Sequence, residues 1–256
     1  MKRTIGLLML VAIVCGPVWA DTITFQNNVG TYDGGVDAGV RQEKPYYNYG
    51  GSATCGSGWE DQELITFFRF DDMFGSAAYQ LPAGQTITSA KLKLFVEGMD
   101  NPSESRTFNA SAMTVPVQMG TQNNYWASEG DVCYAYRAFS DYTPGQWNAG
   151  AGSSSGPVAN ADYTTTDAAS ATFGFSGTGW VEWDVTEIVK KWYAGTLDNE
   201  GFIVRQADDT HNRRVNFTME EGGGNAPALE ITYVPEPATM SLLALGGLGV
   251  LIRRKR

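Results

Sequence analysis

Apolar and polar positions alternate through most of this chain. In residues 89–96, Ala90, Leu92, Leu94 and Val96 fall on one side and Lys91 and Lys93 on the other, the period-2 pattern of a strand with one buried face. Similar short segments occur at 23–25, 64–70, 113–119, 171–175, 180–183, 202–205, 215–219 and 229–233. About nine such strands in one stretch of chain predict an all-β domain, a jelly-roll-like antiparallel β-sandwich. One segment changes period. Val185, Ile188, Val189 and Trp192 recur at helical spacing behind Asp184, a capping residue, with Glu187 placed for a capping box and Gly195 as a stop, so one short amphipathic helix is expected. Residues 120–166 are polar and rich in Gly, Ser, Asn and Tyr. Trp126, Tyr134, Tyr136 and Trp147 make this stretch too aromatic for plain disorder, and it reads as a long loop or inserted excursion.

The two ends follow a different logic. Lys2 and Arg3 precede an apolar run from residue 5 to residue 15, followed by Pro17 and the small-residue site at Ala20. This is the order of a secretory signal peptide, residues 1–20, removed by signal peptidase to leave Asp21 first. Val14 stands before Cys15 where a lipid-attachment site needs a small residue, so lipidation is set aside. At the other end Pro235, Glu236 and Pro237 precede an uncharged stretch, 238–252, and then Arg253, Arg254, Lys255 and Arg256. As a helix that stretch covers about 22 Å, short of a hydrocarbon core of about 30 Å. A single strained membrane-inserting helix is a better temporary stop than a permanent anchor, and the basic residues keep the terminus cytoplasmic. Residues 234–256 resemble the PEP-CTERM sorting signal of Gram-negative bacteria. The resemblance implies recognition by an exosortase, cleavage near Pro235-Glu236-Pro237, transient inner-membrane association, and delivery to the cell surface or an extracellular matrix.

Charge separates these segments from the domain between them. Residues 21–237 hold 12 basic and 28 acidic side chains, a net charge of −16. Such a surface repels nucleic acid and other polyanions and is compatible with neutral glycans or cations. Cys55 and Cys133 remain after signal removal, and an even pair in an exported chain predicts a disulfide.

Several segments in order are similar to the DNRLRE family, secreted β-sandwich modules related to carbohydrate-binding modules. They are Tyr47-Asn48-Tyr49-Gly50-Gly51, Phe68-Arg69-Phe70-Asp71, residues 81–94, residues 183–192, Asn199-Glu200-Gly201-Phe202, and Leu229-Glu230-Ile231-Thr232-Tyr233. The resemblance implies one non-catalytic domain over residues 21–233, some relatives of which bind acidic polysaccharides. Arg69, among large apolar neighbours, requires a carboxylate partner if it turns inward.

The chemistry on offer is sparse. His211 is the single histidine, which rules out a multi-histidine metal site. Glu182 with Asp184, or Glu220 with Glu221, are the carboxylate pairs nearest to a glycosidase arrangement, but such a mechanism needs fixed separation and one raised pKa. The aromatic residues are the stronger candidates: Tyr47, Tyr49, Trp126 and Trp147 are expected to present rings to sugar faces. Asp33 and Asp37, flanked by glycines, are candidate ligands for calcium; no other cofactor is expected. The expected function is an exported, non-catalytic, glycan-associating or adhesive envelope protein. A polysaccharide lyase or glycosidase and a purely structural matrix protein are the alternatives.

Overall fold

A computed structural model describes residues 19–141, 144–148, 156–174, 178–208 and 213–235. The signal run 1–18, His211, Glu236, Pro237 and the apolar tail lie outside the described residues. Among the described residues, no helix is long and apolar enough to cross a membrane.

The strands in chain order are β1 (Asp21–Phe25), β2 (Gly35–Arg41), β3 (Tyr47–Asn48), β4 (Thr54–Trp59), β5 (Glu63–Phe70), β6 (Gln85–Met99), β7 (Arg106–Ala112), β8 (Tyr125–Trp126), β9 (Ala169–Phe173), β10 (Gly179–Asp184), β11 (Phe202–Gln206), β12 (Val215–Thr218) and β13 (Ala228–Pro235), with helix α1 (Thr186–Tyr193) between β10 and β11. Apart from the ribbon β3–β8, they form one antiparallel sheet that curls into two facing layers. The first layer is built on β6, which pairs with β13, β12 and β10; β1 completes its edge beside β13. The second runs β2-β5-β11-β7-β9. Strand β4 belongs to both, since Thr54 to Ser57 pair with β12 while Gly58 and Trp59 pair with β5.

The alternation read from sequence sets what lies between the layers. Ala90, Leu92, Leu94 and Val96 are fully buried, as are Trp183, Phe217, Leu229 and Ile231 of the strands beside them. Phe68, Phe70, Phe108, Ala110, Phe202 and Val204 meet them from the second layer. Trp183 joins the layers, its indole N–H donating to the Phe108 carbonyl at 2.9 Å. Helix α1 lays Ile188, Val189 and Trp192 on this core, with the Trp192 ring 4.6 Å from that of Phe202. Its C-terminus ends as expected: Gly195 has φ +66°, and the Gly195 and Thr196 amides donate to the Trp192 and Lys191 carbonyls, the double bond of a Schellman motif. The start differs from the capping box. The Asp184 carboxylate accepts from the Thr186 amide and hydroxyl, and Glu187 pairs with Lys190 instead of reaching back.

The excursion after β7 is not a free loop. Met113, Val117, Met119, Val132, Tyr134 and Trp147 pack on Ala38, Val40, Ile65, Phe67 and Ile203, the outward-facing apolar residues of the second layer. This makes a second core outside the sandwich. The strand expected at 113–119 is absent: Met113 makes an isolated bridge, and beyond it the chain leaves the sheet. Pro116 has no N–H for a ladder, and the apolar residues on either side of it plug the second core.

The expected disulfide is also absent. Cys55 and Cys133 are free and buried in different clusters, Cys55 between the two layers and Cys133 beside Ala127 and Ala135 under the excursion. Burial pushes both thiols up to about 12, which keeps them protonated and poorly nucleophilic at neutral pH. We therefore expect no alkylation of either thiol in native protein at pH 8, two per domain once denatured, and no change in melting temperature on adding reductant. A reductant-induced drop of the size a long-loop disulfide gives, about 4 kcal/mol, would contradict this arrangement.

Candidate functional site

The outer face of the second layer is only half covered. Among the described residues, the excursion shields β2, β5 and, at Ile203, part of β11, while the rest of β11 with β7 and β9 forms the floor of a cleft. Strand alternation puts Ile203 and Arg205, Asn109 and Ser111, and Ser170 on this outer side, because Phe202, Val204, Phe108, Ala110 and Ala169 point inward. The ladders align them: Arg205 is opposite Asn109, and Asn109 is opposite Ser170. The Ser170 hydroxyl donates to the Asn109 side-chain oxygen at 2.6 Å. The cleft has a volume of about 550 Å³, with Trp59, Tyr163, Thr165 and Gln206 among its walls, within the size range of small-ligand sites.

One end of the cleft is held by a buried polar network. Arg205 pairs with the Glu63 carboxylate, donates to the Pro157 carbonyl at 3.0 Å and to the Tyr163 hydroxyl at 2.9 Å, and lies over the Tyr163 ring at 5.7 Å. The second Glu63 oxygen accepts from the Tyr134 hydroxyl at 3.0 Å. Burial, and then the charge of Glu63, raise the Tyr134 hydroxyl above its ordinary value and keep it a donor. Burial works against the Arg205 cation, but Glu63 beside it more than offsets that and keeps it charged. The guanidinium is thus neutralised by its own chain, and the cleft floor offers hydroxyl and amide groups more than a free positive charge.

The expected site residues are scattered. Trp147 is buried, with its N–H on the Tyr134 carbonyl and its ring stacked on Phe67; it anchors the excursion and presents no face to a ligand. Tyr49 is buried as well, its hydroxyl donating to Asn124 and its ring under Arg41. Trp126 and its neighbour Tyr125 remain exposed, at 50% and 63%, with half-buried Tyr47 paired opposite Trp126. These rings lie beyond β2, at the far edge of the layer from the cleft. Arg69 finds its carboxylate two residues on, in Asp71.

Asp33 is exposed and Asp37 is buried in β2, and no group of three His, Cys, Asp or Glu among the described residues is placed to hold a metal. Asp37 accepts from the Glu220 amide at 2.7 Å through one oxygen, and its other oxygen has no partner. Burial raises the Asp37 carboxyl well above its ordinary value, the nearby Glu221 and Glu220 adding to the effect against the Glu220 amide bond. A raised acid stabilises the fold below its unfolded value, about 3.9, and that stabilisation is lost as pH rises through the folded value. Asp37→Asn keeps the acceptor for Glu220, so in metal-free buffer it should melt higher than wild type at pH 7, with the gap closing below pH 4. Equal melting at both pH values would show that burial does not destabilise the Asp37 carboxylate, and a lower melting temperature at pH 7 would show that it is stabilised as a carboxylate.

The glycosidase-like pairs have other occupations. Glu182 is held low by its bond to Lys91 and by Lys93, and Asp184 is held low by its bonds to Thr186. Burial raises Glu220 and Glu221, which sit on the turn beside Asp37 and away from the cleft.

Sequence reasoning missed the cleft because Asn109 and Ser170 look like any solvent-side strand residues until the register aligns them. Arg205 carries no signal in the sequence beyond its charge. No curated protein matches the chain. Residues 159–233 match carbohydrate-binding module family 96, a span holding Tyr163, Thr165, Ser170, Arg205 and Gln206 of the cleft but not Asn109 or Glu63. The match bears out the carbohydrate-binding-module relationship and covers the second part of the domain. Residues 234–256 match the PEP-CTERM protein-sorting motif, which implies export, exosortase recognition and surface sorting in a Gram-negative bacterium.

Proposed function

We propose that this is a non-catalytic, surface-sorted glycan-binding protein whose ligand, a neutral or weakly charged polysaccharide, lies in the cleft across β11, β7 and β9. The observation that carries this reading is the row Arg205, Asn109, Ser170, in register across three strands and walled by Trp59 and Tyr163. A sugar chain crossing the row meets hydroxyl and amide partners below and aromatic faces at the sides. The Arg205–Glu63 pair leaves no unbalanced cation there, and a net charge of −16 over residues 21–237 opposes a polyanion. Exosortase cleavage near Pro235 would release the domain to the surface, since β13 runs to Pro235.

Affinity electrophoresis of residues 21–235 in gels containing different polysaccharides tests this. Ser170 is exposed on edge strand β9, so Ser170→Trp fills the cleft without touching the core. It should weaken retention in a neutral-glycan gel by about tenfold, and Asn109→Ala by several-fold, roughly one hydrogen bond, with melting unchanged. Full retention in both variants would remove the cleft as the site.

A further inference from the structure

The ribbon β3–β8 carries a feature that the cleft does not use. Tyr125, Tyr47, Trp126, Tyr46 and Tyr136 form a continuous row of rings, with successive centroids 6.4, 5.8, 5.6 and 6.2 Å apart. Trp126 lies flat on Tyr46, the planes 1° apart, so one indole face is supported while half of the residue's surface stays open. The row is held from below. Asn48, fully buried between Tyr47 and Tyr49, donates to the Met119 and Val132 carbonyls at 2.6 and 2.9 Å, and the Tyr49 amide donates to the Gly39 carbonyl of β2. These bonds tie the ribbon to both the excursion and the second layer, so the rings are fixed before any ligand arrives.

The chemistry of the patch selects its occupant. Every ring in the row is Tyr or Trp, amphipathic side chains that combine an apolar face with a polar edge, and no aliphatic side chain joins them in the row. The local charge departs from the acidic average. Arg41 is paired with Glu43, and Lys44, 5.4 Å over the Tyr47 ring, bonds to the neutral Asn124 side chain at 3.0 Å and makes no salt bridge among the described residues. The charge around the rings is therefore mixed, with Lys44 at the Tyr47 ring and exposed Glu129 three residues after Trp126. The rings are tilted by 46° between Tyr125, Tyr47 and Trp126, so the exposed faces of Trp126 and Tyr125 are separate platforms, each suited to the C–H face of a pyranose, and Lys44 beside them can meet a chain that carries carboxylates.

We propose that this strip is a second glycan contact, separate from the cleft, which stacks the pyranose rings of a polysaccharide on Trp126 and Tyr125. It lies outside the family 96 match and shares no lining residue with the cleft. Its link to the cleft reading is the consequence: two contacts at opposite edges of one layer let a single protein bridge two chains.

The test is affinity electrophoresis of the full chain in gels containing hydroxyethylcellulose or alginate, together with turbidity of the same polymers in solution. Trp126→Ala with Tyr125→Ala should weaken retention roughly tenfold in one gel or both, and Tyr125→Ala alone should act in the same direction. Ser170→Trp should leave the remaining retention sensitive to the ring substitutions, and either block should abolish turbidity. Response to alginate alone, lost in Lys44→Ala, identifies a uronate chain; response to hydroxyethylcellulose identifies a neutral one. If only the ring substitutions matter, the cleft reading fails and the strip stands. The proposal is overturned if the ring variants match wild type in both gels, if Ser170→Trp alone removes all retention, or if neither polymer retards wild type.

Discussion

Trp183→Ala should be the most damaging single truncation in the domain, costing about 3–5 kcal/mol. Trp183 is fully buried and stands between the layers, its ring 6.1 Å from both Phe173 and Phe217. The substitution opens a cavity between two sheets that β4 and the ladders hold apart, so collapse is limited. It also leaves the Phe108 carbonyl without its indole donor, a further cost for a buried acceptor. For a domain of this size the melting temperature should fall by roughly 10 °C, measured by calorimetry on residues 21–235. A fall of only a degree or two would mean that the layers do not share the core described here.

Gly39→Ala should be nearly as harmful, for the opposite reason. A Cβ at Gly39 would sit 1.7 Å from the Cys55 sulfur, with no open space on that side of β2. Overpacking of a tight core costs about 1–3 kcal/mol and more where nothing can move, and here the clashing sulfur is a fully buried side chain on strand β4. The size of the effect should depend on its neighbour. With the sulfur removed, Gly39→Ala in a Cys55→Ala background meets the residue-55 Cβ at 3.1 Å, tight but adjustable. Most of the lost stability should return, giving a coupling of about 2 kcal/mol in a double-mutant cycle. Additive losses would place Cys55 away from Gly39.

The same contact explains which parts of the fold were legible. Strands β6 and β13 and helix α1 declare themselves because large apolar residues recur at a clear period, and each buries one face against a neighbour. Strands β2 and β4 do not: Gly39 lies against Cys55, Gly56 lies under Leu64 and Arg214, and with their other small side chains they carry little of the β-branched and aromatic signal of a strand. Strand β7 alternates correctly, but its inward row after Phe108 is only Ala110 and Ala112. The even count of Cys55 and Cys133 suggested a bond; the excursion keeps them in separate clusters, which spacing along the chain does not encode.

The candidate site divides in a similar way. Composition identifies tyrosines and tryptophans but not what covers them: Trp147 and Trp126 belong to the same excursion, yet one fills the second core and the other faces solvent. The cleft was invisible for another reason. Arg205, Asn109 and Ser170 come from three strands 61 and 96 residues apart in sequence between successive members, and only the β11–β7 and β7–β9 registers make them a row. The matched family segment beginning at residue 159 contains two members of that row, and β7 supplies the third.

The most direct check of the central claim is hydrogen exchange on residues 21–235, with and without a polysaccharide that retards the domain in gels. Binding in the cleft should slow exchange in peptides from β7, β9 and β11, which carry Asn109, Ser170 and Arg205, and leave β1, β13 and the outer side of β6 unchanged. Protection confined to the first layer, or none in β7, β9 and β11 at saturating polymer, would contradict it.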